Sequence, residues 1–152
     1  MKAKHLRAHV KAALAYAECS TATILQVGCI IVKDDRIISI GYNGTPPGWD
    51  NVCEHKVFFD KQGRQLMQPV LVTRPEVMHA ELNALSKLAR STESGEGATA
   101  IVTTAPCFEC AKVLYCAGIS EVYYVEEYRK TDGIEFLQKC GITIEKVDTY
   151  EK

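Results

Sequence analysis

Two short motifs constrain this chain more than any other feature: His79-Ala80-Glu81, and further along Pro106-Cys107-Phe108-Glu109-Cys110. Each opens a segment with helical spacing, Val77 to Arg90 and Cys107 to Ala117. An imidazole and a carboxylate are costly to bury without partners, so their place ahead of an apolar helix demands a reason. Cysteines three apart face one point in a first helical turn, where the helix N-terminus favours thiolates. One histidine and two thiolates make a zinc donor set of the three-ligand kind, which leaves a fourth position for water. A fold that serves this set must bring two helix N-termini to one place.

Glu81 completes the set without joining it. A carboxylate beside a zinc-held water takes its proton and later delivers it to a substrate. H-x-E together with P-C-x-x-C is the signature pattern of zinc-dependent nucleobase deaminases. The alternative is a structural zinc knuckle, or cysteines buried as core residues. A structural site would want a fourth protein ligand, and none lies beside either motif.

The remaining sequence sets the frame. Leu6, Val10, Ala13, Leu14 and Ala17 recur at helical spacing and predict an amphipathic helix over 3–18. Its lysines and arginine (Lys2, Lys4, Arg7, Lys11) read as a solvated face. Val27 to Val32 and Ile37 to Tyr42 are β-branched runs joined by Lys33-Asp34-Asp35-Arg36, a hairpin. Residues 45–76, with prolines, glycines and mixed charge, read as a loop insertion. Beyond the two motif helices, strands are expected over 98–103, 121–126 and 142–147, with a helix over 131–140. Such alternation predicts a single domain over 1–152 of the α/β class: a three-layer α/β/α sandwich on a mixed central sheet of about five strands.

A chain of 152 residues buries roughly 68–70% of its surface on folding, so its seven cysteines are not needed as disulfide staples. With no signal-peptide pattern and no run near ~20 apolar residues, the expected location is a reducing cytoplasm, with no membrane partner. Cys29, Cys116 and Cys140 fall on apolar faces and read as core residues. A net charge of -1 and a pI near 6.4 argue against binding along an extended nucleic acid.

Three stretches carry a family resemblance: Gly41-Tyr42-Asn43-Gly44-Thr45-Pro46, His79-Ala80-Glu81-Leu82-Asn83-Ala84, and Pro106-Cys107-Phe108-Glu109-Cys110-Ala111-Lys112. Gly118-Ile119 and Glu121-Val122-Tyr123-Tyr124 extend it. Over nearly its whole length the chain resembles the deoxycytidylate (dCMP) deaminases of the cytidine and deoxycytidylate deaminase superfamily, of a type also encoded by bacteriophages. Free-nucleoside cytidine deaminases usually present cysteine where His79 stands and lack the GYNG loop.

The resemblance implies zinc-dependent hydrolytic deamination of dCMP to dUMP with release of ammonia, supplying dUMP for dTMP synthesis, in the host cytoplasm if the chain is phage-encoded. Zinc would be held by His79, Cys107 and Cys110, with Glu81 moving protons between water, cytosine N3 and the leaving amine. Asn43 would hold the sugar or base, and the backbone of Ala80 and Ala105, which flank the zinc ligands, would meet the cytosine edge. Tyr128 would close the base pocket and Arg129 or Lys130 would meet phosphate; the other reading of Glu126 to Lys130 (EEYRK) is an exposed turn. It also implies a homohexamer activated by dCTP and inhibited by dTTP, at a nucleotide site formed by Gly41, Tyr42, Asn43 and Gly44. Two departures stand out. Ser20 to Gly28 (STATILQVG) lacks the basic residue that relatives usually carry there. Where several relatives hold a structural zinc, Cys19, Cys53 and His55 offer three ligands, and only His5 or His9 as a fourth. Two other functions fit the same motifs: a polynucleotide deaminase acting on tRNA or single-stranded DNA, which needs a basic aromatic groove, and a non-catalytic zinc module, which has no use for Glu81.

Overall fold

Residues along β1 (Gly28–Lys33) point alternately into two cores. Cys29 and Ile31 join one apolar cluster, and Ile30 and Val32 the other. A strand buried on both faces needs a layer on each side, which the rest of the chain supplies. The structure, a computed structural model, describes residues 1–149. Its elements in order are α1 (Ala3–Ala17), β1, β2 (Arg36–Tyr42), β3 (Glu54–Phe59), β4 (Gln65–Thr73), α2 (Ala80–Ala89), β5 (Thr99–Thr104), α3 (Phe108–Cys116), β6 (Glu121–Glu126), α4 (Asp132–Lys139) and β7 (Thr143–Lys146).

Five strands form the main sheet in the order β2-β1-β5-β6-β7. The β2/β1 and β1/β5 pairs are antiparallel, and β5/β6 and β6/β7 parallel, so the sheet is mixed. Asp34 and Asp35, with φ of 50° and 60°, make the tight turn that joins β1 to β2. On one face α1 lays Val10 and Ala13 against Ile30, Val32 and Ile101. On the other, Ala84 and Leu88 of α2, Ala111 and Leu114 of α3 and Leu137 of α4 close over Cys29, Val102 and Val122. The expected three-layer sandwich is the fold observed, its helix and strand limits shifted by three residues or fewer.

Two expectations are corrected. The segment 45–76 is not a loop throughout: β3 and β4 pair antiparallel as a separate two-stranded ribbon. Phe58, Phe59, Met67 and Val70 are exposed on it, so neither strand shows the period-2 burial that makes a strand legible. Cys116 is exposed rather than core, because the inner face of α3 runs through Cys110, Ala111 and Leu114, and Cys116 lies off it. Cys29 is buried, and half-buried Cys140 packs against the core. No helix among the described residues is long and apolar enough to cross a membrane.

Candidate active site

The N-terminus of α2 is set by β2. A Cβ on Gly41 would stand 2.4 Å from the Ala80 carbonyl oxygen and 2.5 Å from the Ala84 nitrogen, so glycine lets the helix backbone touch the strand. Ser39 donates to the Ala84 carbonyl (2.6 Å), Asn83 to that of Tyr42 (2.7 Å) and Lys87 to that of Ile40 (2.7 Å). Ahead of the helix, Met78 and Gly44 exchange both backbone hydrogen bonds, at 2.8 and 3.1 Å. His79 follows as an N-cap residue of extended backbone, one position past the Gly44–Met78 bridge.

Cys107 occupies the same place on α3. Its sulfur accepts the Cys110 N–H at 3.5 Å, so Cys107 caps the helix whose first turn carries Cys110. The two N-termini meet as the motif pair requires. His79 Nδ1 lies 3.6 Å from the Cys107 sulfur and 3.4 Å from that of Cys110. Zinc bonded at about 2.3 Å to sulfur and about 2.0–2.1 Å to nitrogen, at tetrahedral angles, spaces such atoms by roughly 3.6 Å. The donor set fits zinc in both chemistry and spacing. Among the described residues it is the one group of three or more metal-ligating side chains whose donor atoms lie within 4.8 Å of one another.

Electrostatics agree. The Cys110 thiol donates to Cys107 and, against the cost of burial, His79 adds a second donor, which brings the Cys107 thiol down to about 4. Cys110 is pushed up because it donates to Cys107, is buried and faces the Glu81 carboxyl. The two sulfurs thus share one proton, which a divalent cation between them would expel. Glu81 is buried, and desolvation raises its pKa above the ordinary carboxylate value.

His79, Glu81 and Cys107 open into a cavity of about 390 Å³ lined also by Asn43, Ala80, Ala105, Tyr128 and Arg129. Its far wall is the segment from Ala22 to Val27, fastened through its backbone. The Asn43 amide donates to the Leu25 carbonyl and accepts from the Val27 N–H, both at 2.8 Å. Glu54 accepts from the N–H groups of Thr23 (2.8 Å) and Ile24 (3.0 Å), and Ser20 donates to the Asn43 carbonyl (2.8 Å).

Residues 2–126 match the family model described as the cytidine and deoxycytidylate deaminase zinc-binding region. The chain belongs to this family. The deoxycytidylate deaminase of Enterobacteria phage T4 is 34% identical, over 78% of this chain and 77% of its own. The human deoxycytidylate deaminase is 37% identical, over 80% of this chain and 67% of its own. The crystal structure of dCMP deaminase from the cyanophage S-TIM5, in complex with dCMP and dUMP, superposes with a TM-score of 0.84 at 40% identity, covering 97% of this chain and 99% of that one.

In this member of the deaminase family the motif residues His79, Glu81, Cys107 and Cys110 come together, and Asn43, Ala80, Ala105 and Tyr128 share the cavity that His79, Glu81 and Cys107 line. Of the GYNG loop only Asn43 lines it. The room at Gly41 is taken by α2, whereas a Cβ on Gly44 would meet nothing within 4 Å. Cys19, Cys53 and His55 do not form a ligand cluster: Cys53 is buried, whereas Cys19 and His55 are exposed. His5 and His9 are no fourth ligand for them, since both bind Asp35 at the β1–β2 turn. Glu54 escaped the sequence reading. It stands in a stretch with no apolar period, and its partners lie some thirty positions earlier.

Proposed function

We propose that this chain catalyses the hydrolytic deamination of dCMP to dUMP, consuming water and releasing ammonia. The observation that carries it is Glu81, a buried carboxyl sharing one cavity with His79 and Cys107 of the donor set. Zinc bound by those three would supply, at neutral pH, a nucleophile from water. Glu81 takes the proton that water gives up, places it on cytosine N3, and carries a second to the departing amine. Its raised pKa suits a group that must both gain and lose a proton. The Ala80 N–H and the Ala105 carbonyl meet the polar edge of the base, and Tyr128 closes over it.

Phosphate falls to Arg129. It is the one lysine or arginine lining the cavity, its guanidinium 5.5 Å from the Tyr128 ring centroid. Lys130 is not part of that lining. Charge-assisted hydrogen bonds from a guanidinium to a phosphate favour the monophosphate over the free nucleoside. Ammonia release from dCMP, deoxycytidine, dCTP and a cytosine-containing oligonucleotide tests this, with dCMP expected to be the preferred substrate. Arg129→Ala should cut the dCMP preference by about tenfold or more while leaving deoxycytidine turnover nearly unchanged. Equal kcat/KM for dCMP and deoxycytidine in the unaltered protein would refute the assignment.

We further propose control of the dCMP-deaminase kind, with dCTP as activator and dTTP as inhibitor of a homohexamer. The physical route is Asn43: a ligand beside Tyr42 and Gly44 that moves this residue also moves the Leu25–Val27 wall its amide holds. Self-association would cover the β3–β4 ribbon, whose apolar residues a two-stranded hairpin cannot bury alone. Thiolate ligands and seven unpaired cysteines suit a reducing cytoplasm.

A further inference from the structure

Helix α4 carries a glycine that its own backbone does not require. Gly133 stands in the first turn and is absent from the glycines of positive φ. Relative to alanine, a helical glycine is destabilising by roughly 0.5–1 kcal/mol, so another constraint must hold it there. A Cβ at this position would lie 2.2 Å from the Pro106 carbonyl oxygen, 2.9 Å from the Cys107 carbonyl carbon and 3.0 Å from its oxygen. The first turn of α4 therefore rests, backbone on backbone, against the turn that presents Cys107.

We infer that Gly133 is a positioning residue for Cys107: by admitting α4 into contact with the Pro106–Cys107 peptide, it fixes where the Cys107 sulfur stands. The inference rests on reading His79, Cys107 and Cys110 as a zinc site. Neither side of the contact is free to retreat. Leu137 is fully buried, and Phe136 meets Phe108 and Tyr115 edge-on at 5.5 and 6.1 Å, which locks α4 onto α3. Opposite, Pro106 is fully buried, and Ala105 and the Cys107 carbonyl are tied by 2.8 Å backbone bonds to Glu126 and Ala111.

Magnitudes decide what an added methyl would do. Relieving a 2.2 Å approach to 3.0 Å takes a shift of about 0.8 Å, whereas metal–ligand distances hold to about 0.2 Å. If only a third of the shift reached the Cys107 sulfur, the donor set would no longer match zinc.

The experiment compares Gly133→Ala with Gly95→Ala. The latter makes a similar clash, 2.6 Å from the Ala117 carbonyl oxygen, at the opposite end of α3. Zinc transfer to a chromophoric chelator and the visible spectrum of the cobalt-substituted protein are recorded alongside thermal stability. Both variants should melt lower. Gly133→Ala alone should release zinc at least about tenfold faster and shift the cobalt bands, an effect of the size seen when residues supporting a metal ligand are altered. Gly133→Ala with the parental release rate and spectrum, or Gly95→Ala with equally fast release, would overturn the inference. Should Gly133→Ala not fold, Phe136→Ala unlocks α4 without adding an atom: faster release supports the inference, and an unchanged rate overturns it. An unaltered protein that binds neither zinc nor cobalt would instead overturn the metal-site reading beneath it.

Discussion

At the scale of single residues, the decisive distinction is between groups that hold and the group that transfers. His79, Cys107 and Cys110 stand at the spacing of a tetrahedral donor set, while Glu81, two positions from His79, is buried beside them. Glu81→Gln preserves shape and hydrogen-bonding capacity but cannot carry a proton. It should keep zinc content and melting behaviour while kcat on dCMP falls by about 10²-fold or more. Turnover within a few-fold of the parent, at full zinc occupancy, would remove Glu81 from proton transfer. These four residues were legible in the sequence because both motifs are local and their chemistry is restrictive. Glu54 and Gly133 were not, since a carboxylate that fastens a distant backbone and a glycine that admits a neighbouring helix leave no local pattern.

At the scale of elements, the site depends on how closely α2 lies on β2. The approach is set at Gly41, so Gly41→Ala should lower stability by about 1–3 kcal/mol through overpacking, measurable by urea denaturation. Gly44→Ala, three residues on, adds a methyl that meets nothing within 4 Å and should be close to neutral. Equal effects at the two positions would contradict the seating of α2. Legibility divides along similar lines. The alternating elements from Thr99 to Lys146 follow from their apolar periods, because each strand there has a covered face. The β3–β4 ribbon has no such face, and Pro69 within β4 reads as an interruption although an edge strand tolerates it. Cys116 misled for a simpler reason: an apolar neighbourhood in sequence is not the inward face of a helix.

At the scale of the whole molecule, the proposed control predicts a kinetic form. Saturation by dCMP should be sigmoidal, become hyperbolic with dCTP and steepen with dTTP, in a protein that light scattering finds as a hexamer. Each effector must favour a different conformation for this to occur. Hyperbolic curves indifferent to both nucleotides, from a monomer, would refute it. The ribbon of β3 and β4 adds a consequence of another kind. It pairs with itself, and Arg74 ties its base through the Cys53 and Val52 carbonyls and Asp50, so the five-stranded sheet closes without it. Beyond its base, where Glu54 fastens Thr23 and Ile24 and Thr73 lines the cavity, such a segment behaves as a graft: its outer part can be lengthened, shortened or exchanged over generations while the catalytic body keeps its shape. A lineage can therefore vary the outer ribbon without putting its chemistry at risk.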